Sequence, residues 1–425
     1  MADSDRFSFR VDSTDEIVEL LGEDGLGSNS LDRQSQLEGA MGALLGDSAE
    51  LAARLGDPRL ELDTVSRTYL LLGAVLQRAS ASPAQSVVDV LAMLSATQSA
   101  LGTMERAEFL TGVALARVRT AEASADDVDV IGVLRDNSLR IGFPTRVRTT
   151  LGTVIESLGQ VQGQPLVDLL LNDDFTLDNV ARSTYLLGVA AERAGLIPSS
   201  QMAEEFGSGW GLLGHLFDPA LEVETTSRAL FLLGAATERS STSPEEVLQR
   251  LHDPYWAMGL GDKAVVLLVA ASLRPTVAID AGTFLGGSAA ALSMFAERVI
   301  TIDVDAARER HIEELANVEF VCGVAAEVLE ELLPSERSAE LVVLDAAHTA
   351  DGIVAEVEQL LKSPPTRLRA VLIHDSAMQM CRDGLDSVDW EGNPVVRGAT
   401  LDFVPGEVSK DGLMGGGLAV VWLLE

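Results

Sequence analysis

The chain has 425 residues and carries 65 Asp and Glu against 31 Lys and Arg, a formal charge of -34. With 47% hydrophobic and 23% charged residues it can bury an ample core, so a disordered chain and a single small module are excluded and two or three domains are expected. The acidic field repels phosphate backbones and anionic lipid, which removes nucleic acid and membrane surfaces as partners.

Two cysteines, Cys322 and Cys381, cannot form a disulfide framework in a chain of this length, and no His/Cys cluster has zinc spacing. The longest apolar stretch, Ala264 to Leu273, is about half a membrane span. A reducing, cytoplasmic setting without targeting or transmembrane segments is expected.

In chain order, residues 1–28 read as a cap: a short extended piece, Phe7 to Val11, then a helix over Thr14 to Gly22. From there Arg-x5-Gly recurs at Arg33/Gly39, Arg67/Gly73, Arg106/Gly112, Arg146/Gly152, Arg182/Gly188 and Arg228/Gly234. The intervals are 34, 39, 40, 36 and 46 residues, and four copies add an Arg eleven positions on: Arg78, Arg117, Arg193 and Arg239. Three copies place an acid four before the Arg: Asp63, Asp178 and Glu224.

On a helix these three charges fall within about 60° of one another and the Gly lies about 120° away, so one face is charged and another admits a close neighbour. Asp63 and Asp178 suit helix starts, and Ser82-Pro83 and Ser243-Pro244 read as an N-cap followed by Pro at the first helical position. Asp57-Pro58, Asp218-Pro219 and Asp253-Pro254 are turn signals between units. These patterns predict an all-α helical repeat array of about six hairpins over residues 29–254. An ion-pair ladder between units is the favoured reading of the Arg/acid pattern, and a substrate-reading arginine face the alternative. The array carries no tetratricopeptide or ankyrin signature.

After Pro254 short apolar runs alternate with helical stretches, the texture of βαβ units around a parallel sheet. The predicted strands are 276–279, 299–302, 318–321, 341–344, 370–373, 400–404 and 418–423, a seven-stranded doubly wound domain over 255–425. The first runs into Asp280-Ala-Gly282-Thr-Phe-Leu-Gly286-Gly287-Ser288, a glycine turn opening a helix. The second ends in Asp303-Val-Asp305, carboxylates placed to take ribose hydroxyls. Together they point to a ligand with an adenosine part. Cys322-Gly323-Val-Ala325-Ala326 follows the third strand, Asp345-Ala-Ala-His348 ends the fourth and His374-Asp375-Ser376 the fifth. In open α/β sheets ligands lie beyond the carboxyl ends of strands, so Asp345, His348, His374 and Asp375 are expected to converge.

This series resembles class I S-adenosylmethionine-dependent methyltransferases, close to the catechol and caffeoyl-CoA O-methyltransferase branch and its bacterial relatives, over residues 262–425. The resemblance implies a Rossmann-like fold and S-adenosylmethionine as cofactor, with Asp280, Gly282, Gly286 and Ser288 at its methionine part, Asp303 at the ribose and Gly323, Ala325 and Ala326 at adenine. It implies that Asp345 and Asp375, and Ser376 where relatives have Asn, hold Mg²⁺ if a metal is used. His348 stands where catechol O-methyltransferases place a lysine base, and a neutral imidazole near pH 7 needs no large pKa shift for that work. His374 is grouped with these catalytic residues, and a packed structural role is its alternative.

The resulting expectation is O-methylation of a small metabolite, a sugar or natural product, with the helical half binding substrate or serving assembly. A protein partner on the repeats and a homo-oligomer stay open. Two rivals remain. A non-catalytic scaffold with a cofactor-sensing domain is opposed by the intact Asp280, Asp303, Asp345 and Asp375. A nicotinamide oxidoreductase expects Gly-x-Gly-x-x-Gly, whereas three residues separate Gly282 from Gly286.

Overall fold

A computed structural model of the chain describes residues 142–198, 211–217, 223–408 and 414–423, with short stretches between 101 and 135. The cap over 1–28, Arg33, Arg67, Arg78, Arg117, Asp63 and the Ser82-Pro83 start lie outside the described residues. One compact unit ends at Pro198 and another runs from Ser199 to Glu425, whereas the sequence texture put the division after residue 254. Among the described residues no helix is long and apolar enough to cross a membrane.

In the first unit, Val130–Arg135, Phe143–Leu171 and Asn179–Arg193 are helical. The long segment is two helices end to end, broken at Gly159 with φ 75°, a conformation glycine adopts without a Cβ clash. Gly112 and Gly152 mark a close helix crossing: a Cβ on Gly112 would lie 1.7 Å from the Thr149 carbonyl oxygen, and one on Gly152 2.0 Å from that of Phe109. Beside the crossing, buried Glu108 accepts from Thr145 Oγ1 at 2.6 Å and from Arg148 Nε at 2.5 Å.

The recurring arginine does something the helical wheel did not suggest. Arg182 donates to the carbonyls of Leu170 (3.1 Å), Asn172 (2.6 Å), Phe175 (2.6 Å) and Leu177 (3.2 Å). These belong to the end of the preceding helix and its turn. The last carbonyls of a helix have no partner within it, and a guanidinium fork presents several donors at once. The bonds of Arg182 thus run to backbone, not to an acid of the next unit and not toward a ligand, which corrects both expectations for this residue. Asp178 caps its own helix, accepting from the N–H groups of Val180 (2.9 Å) and Ala181 (3.1 Å).

In the second unit the pattern returns. Arg228 donates to Leu216 O at 2.9 Å and Val223 O at 2.8 Å, again 12 and 5 residues back, and Glu224 caps Thr225–Ser240 through the Thr226 and Ser227 N–H groups. Lys263, in helix Leu260–Leu273, reaches Leu251 O at 3.4 Å and Asp253 O at 2.8 Å, positions 12 and 10 back, matching Leu170 and Asn172 in the Arg182 set. The two helices 225–240 and 260–273 pack on each other, and between them Ser243 caps Pro244–His252.

All seven predicted strands form: β1 Val277–Ala281, β2 Arg298–Asp303, β3 Val318–Cys322, β4 Ala339–Leu344, β5 Ala370–His374, β6 Val396–Val404 and β9 Leu418–Leu423. A small hairpin, β7 Glu407–Val408 and β8 Met414–Gly415, was not anticipated. The sheet order is β3-β2-β1-β4-β5-β9-β6. The first five strands run parallel, and β9 inserts antiparallel between β5 and β6. β1, β4, β5 and β9 are buried at every position, which is why they read as unbroken apolar runs instead of alternating ones. Ile279, Ile300, Val342, Val371 and Ile373 form one core with Leu329, Ile353 and Leu360 from the helices 325–332 and 350–362. Ala281 pairs with both Ile302 and Leu344, so β1, β2 and β4 end level. The strand order reverses at the β1–β4 junction, with β2 and β3 on one side and β5 on the other while the strands stay parallel, and such a switch point is where these sheets bind ligands.

Candidate active site

At the β1 end, Gly282 has φ 111° and Gly286 φ 80°, values that strain any other residue. The room they leave is taken by the protein itself. A Cβ on Gly282 would lie 2.3 Å from Asp345 O, and one on Gly287 2.6 Å from Trp256 Cα, so these glycines lock the turn against β4 and the 254–258 turn where ligand approach was expected. Asp280 is fully buried; its Oδ2 accepts from Thr301 Oγ1 at 2.7 Å, and Oδ1 has no hydrogen-bond partner among the described residues. Burial pushes its carboxyl up to about 7, against the pull of the Thr301 and Ser288 hydroxyls. Ser288 is buried just inside helix Gly287–Ser293.

Asp303, half-buried at the end of β2, accepts from Phe284 N (3.0 Å) on Oδ2 and Asp305 N (2.9 Å) on Oδ1, which ties the β1 and β2 loops together. Its carbonyl takes the Gly323 N–H at 2.9 Å. Asp305 is turned to capping 306–311, its Oδ1 accepting from Ala307 N. Three large apolar side chains next to this junction, Phe284, Val304 and Val324, are exposed. Ala325 is buried at the start of helix Ala325–Leu332, and Gly323 and Ala326 are half-buried beside it. A carboxylate with amide-fixed geometry among exposed apolar side chains suits an adenosine.

At the β4 and β5 ends, Asp345, His348, His374 and Asp375 do converge. His374 Nδ1 is 2.9 Å from Asp345 Oδ1 and 3.8 Å from Asp375 Oδ1. His348 Nε2 is 3.1 Å from Asp375 Oδ2 and 3.8 Å from Asp345 Oδ1. Asp375 has φ 56°, an uncommon conformation for a non-glycine residue, and Gly416 N donates to its Oδ1 at 2.9 Å. One ligand atom each from Asp345, His374 and Asp375 lie within 4.8 Å of one another; Ser376, next in sequence, is fully buried with its Oγ unpartnered among the described residues.

The two carboxylates bear on the expectation of a neutral His348: Asp345 and Asp375 raise its pKa to about 10 although burial opposes, which favours the imidazolium. For His374 burial acts downward, but Asp262 and Asp345 outweigh it and the pKa is again raised to about 10. Burial would push Asp375 up, yet its contact with His348, the charge of His374 and the Gly416 N–H hold it below the usual range.

Two neighbours escaped sequence reasoning. Asp262, buried in helix 260–273, puts Oδ2 3.3 Å from His374 Nε2. The contact lacks hydrogen-bond alignment, so Nε2 and Asp262 Oδ1 both remain unsatisfied. Glu356 on helix 350–362 is buried with its carboxyl pushed up to about 7 by desolvation. A signal for Asp262 existed: Asp262-Lys263 is the only charged pair in an otherwise apolar helix, and buried charge demands partners. Trp256 is buried against Gly287, as packing, with Lys263 Nζ 5.6 Å from its ring centre.

Residues 264–401 match the family described as rhamnosyl O-methyltransferase/CmcI, a segment shorter than half the chain. No curated protein matches the sequence. Among solved structures, cofactor-bound Rv0187 from MTB is 18% identical over 53% of this chain and 98% of that one, with a TM-score of 0.30. The N-methyltransferase NodS from Bradyrhizobium japonicum WM9, in complex with S-adenosyl-L-homocysteine, is 12% identical over 43% and 98%, with a TM-score of 0.27. An rRNA methylase from Streptococcus thermophilus is 12% identical over 36% and 89%, with a TM-score of 0.28. The family match spans every strand end from Asp280 to Asp375, and with a seven-stranded, mostly parallel sheet it supports a Rossmann-like methyltransferase fold and methyl transfer from S-adenosylmethionine.

Proposed function

We propose that the second unit transfers the methyl group of S-adenosylmethionine to a hydroxyl of a small metabolite, a sugar or natural product. The observation that carries the reading is the convergence of Asp345, His348, His374 and Asp375 at two neighbouring strand ends, one strand away from the Asp280–Ser288 turn. The description of the matched family as rhamnosyl O-methyltransferase favours a sugar hydroxyl. The orphaned, buried Asp280 Oδ1 and the amide-fixed Asp303 fit the cofactor's polar ends, and Phe284, Val304 and Val324 fit its adenine.

The bound cofactor supplies a methyl already activated by its sulfonium. The protein's part is to align an oxygen with it and take the hydroxyl proton. His348, half-exposed and beside both carboxylates, is the residue placed to receive that proton once it has released its own. Its pKa is high only because Asp345 and Asp375 face it, and engaging those carboxylates elsewhere returns it toward an ordinary imidazole. A divalent cation on Asp345 and Asp375 would also lower the hydroxyl pKa as a Lewis acid. The helices over 143–193 and 225–252 we read as part of a repeat domain that binds substrate or serves assembly. Calorimetry of the full chain with S-adenosylmethionine and with NAD tests the assignment. Saturable binding of the first alone is expected; binding of NAD alone, or of neither, overturns it.

A further inference from the structure

We infer that Asp345, His374 and Asp375 form a site for a divalent first-row transition ion in preference to Mg²⁺, with Asp262 as the outer carboxylate that sets the His374 ring. The converging ligand atoms are two carboxylate oxygens and an imidazole nitrogen within 4.8 Å of one another. An acidic pair alone would not make a site. The second observation is His374 itself: its residue exposure is 7%, its Nδ1 faces the Asp345 oxygen at 2.9 Å, and its Nε2 is buried without an aligned partner.

On the Nε2 side stands Asp262, 3.3 Å away, with one of its own oxygens unsatisfied. Metal-bound histidines commonly donate their second ring N–H to a carboxylate, which fixes tautomer and orientation. The chain here holds carboxylate, imidazole and two further carboxylates in that sequence. A small ring movement, with Nδ1 engaged by an ion, would complete the misaligned Nε2–H to Asp262 bond. This gives a physical reason for an aspartate in the otherwise apolar helix 260–273. The donor set also sets the preference: Mg²⁺ favours all-oxygen shells, whereas an imidazole ligand suits the later first-row ions. His348, whose side chain is 47% exposed, borders the same carboxylates on the solvent side and can yield its contacts to an entering ion.

The inference deepens the methyl-transfer reading and rests on it for the use of the ion, though not for its binding. The test is optical titration of metal-stripped full-length protein with Co²⁺ alone. One ion per chain with visible ligand-field bands is expected, and a large excess of Mg²⁺ should not displace it. Asp262→Asn should weaken Co²⁺ roughly 10- to 100-fold. His374→Asp should shift preference toward Mg²⁺, and this second variant keeps the test decisive if Asp262→Asn does not fold. Absent Co²⁺ bands, binding indifferent to His374→Asp, or equal competition by Mg²⁺ would overturn the site. S-adenosylmethionine calorimetry on the same samples separates the two failures: cofactor binding without Co²⁺ binding sinks only the metal site, and the reverse sinks only the methyltransferase reading.

Discussion

Charged residues serve opposite ends in the helical segments and at the strand ends. Arg182, Arg228 and Lys263 come with a recurring sequence context and direct their donors at main-chain carbonyls of the element before them. Asp345, His348, His374 and Asp375 do not recur, lie near one another, and leave buried polar atoms without partners nearby at Asp262, His374 and Ser376. Charge that a chain repeats at constant offset can be satisfied locally, because the offset itself brings donor and carbonyl together. Buried atoms left over do not by themselves separate the two regions, since Arg182 Nε is unpartnered as well; what separates them is that the strand-end charges are gathered from distant segments of the chain.

The contrast is most directly broken at Arg182. Removing it in Arg182→Ala strands carbonyls that it now satisfies, for a loss on the order of 3 to 5 kcal/mol; an unchanged denaturant midpoint would mean that water replaces the side chain without cost. The next effect is a pH dependence. Asp280 titrates near 7 when folded against an ordinary 3.8, so between those values the folded state binds a proton that the unfolded chain has lost. The Asp280 contribution to stability should therefore fall as pH rises from about 4 to about 7, by roughly 2 to 4 kcal/mol for such a shift, while His348 and His374, raised from 6.5 to about 10, carry a further fall above that range. Asp280→Asn should flatten that limb in pH-dependent melts, and a limb that persists would assign it to another group such as Glu356.

On the strand-end side, His348→Ala should lower the methylation rate roughly a hundredfold or more with S-adenosylmethionine affinity retained. Equal losses of rate and affinity would remove His348 from the acceptor side. Asp303→Ala should weaken cofactor binding by roughly 1.5 to 3 kcal/mol, which calorimetry can read; unchanged affinity puts the ribose elsewhere. The smallest effect sharpens the helical half of the contrast. Lys263→Arg keeps a cation opposite the same carbonyls and should change stability by under about 1 kcal/mol, whereas Lys263→Ala should cost more. Equal losses would show that Lys263 is not equivalent to Arg182.

The sequence by itself determined the seven strands, because β1, β4, β5 and β9 are buried on both faces and therefore read as unbroken apolar runs. It also placed Asp345, His348, His374 and Asp375 together, since a carboxyl strand end in a parallel sheet is where chain direction and loop position coincide. It did not determine the hairpin of β7 and β8, whose two-residue strands carry no periodic signal. Nor did it reveal the use of the recurring arginine: a helical wheel ranks side chains by angle within one helix, while the partners of Arg182 are carbonyls of another segment. Only the tertiary structure decided that Asp262 and His374, 112 positions apart, meet, and that two carboxylates face His348. Both depend on distances and burial between elements, and a linear pattern contains neither.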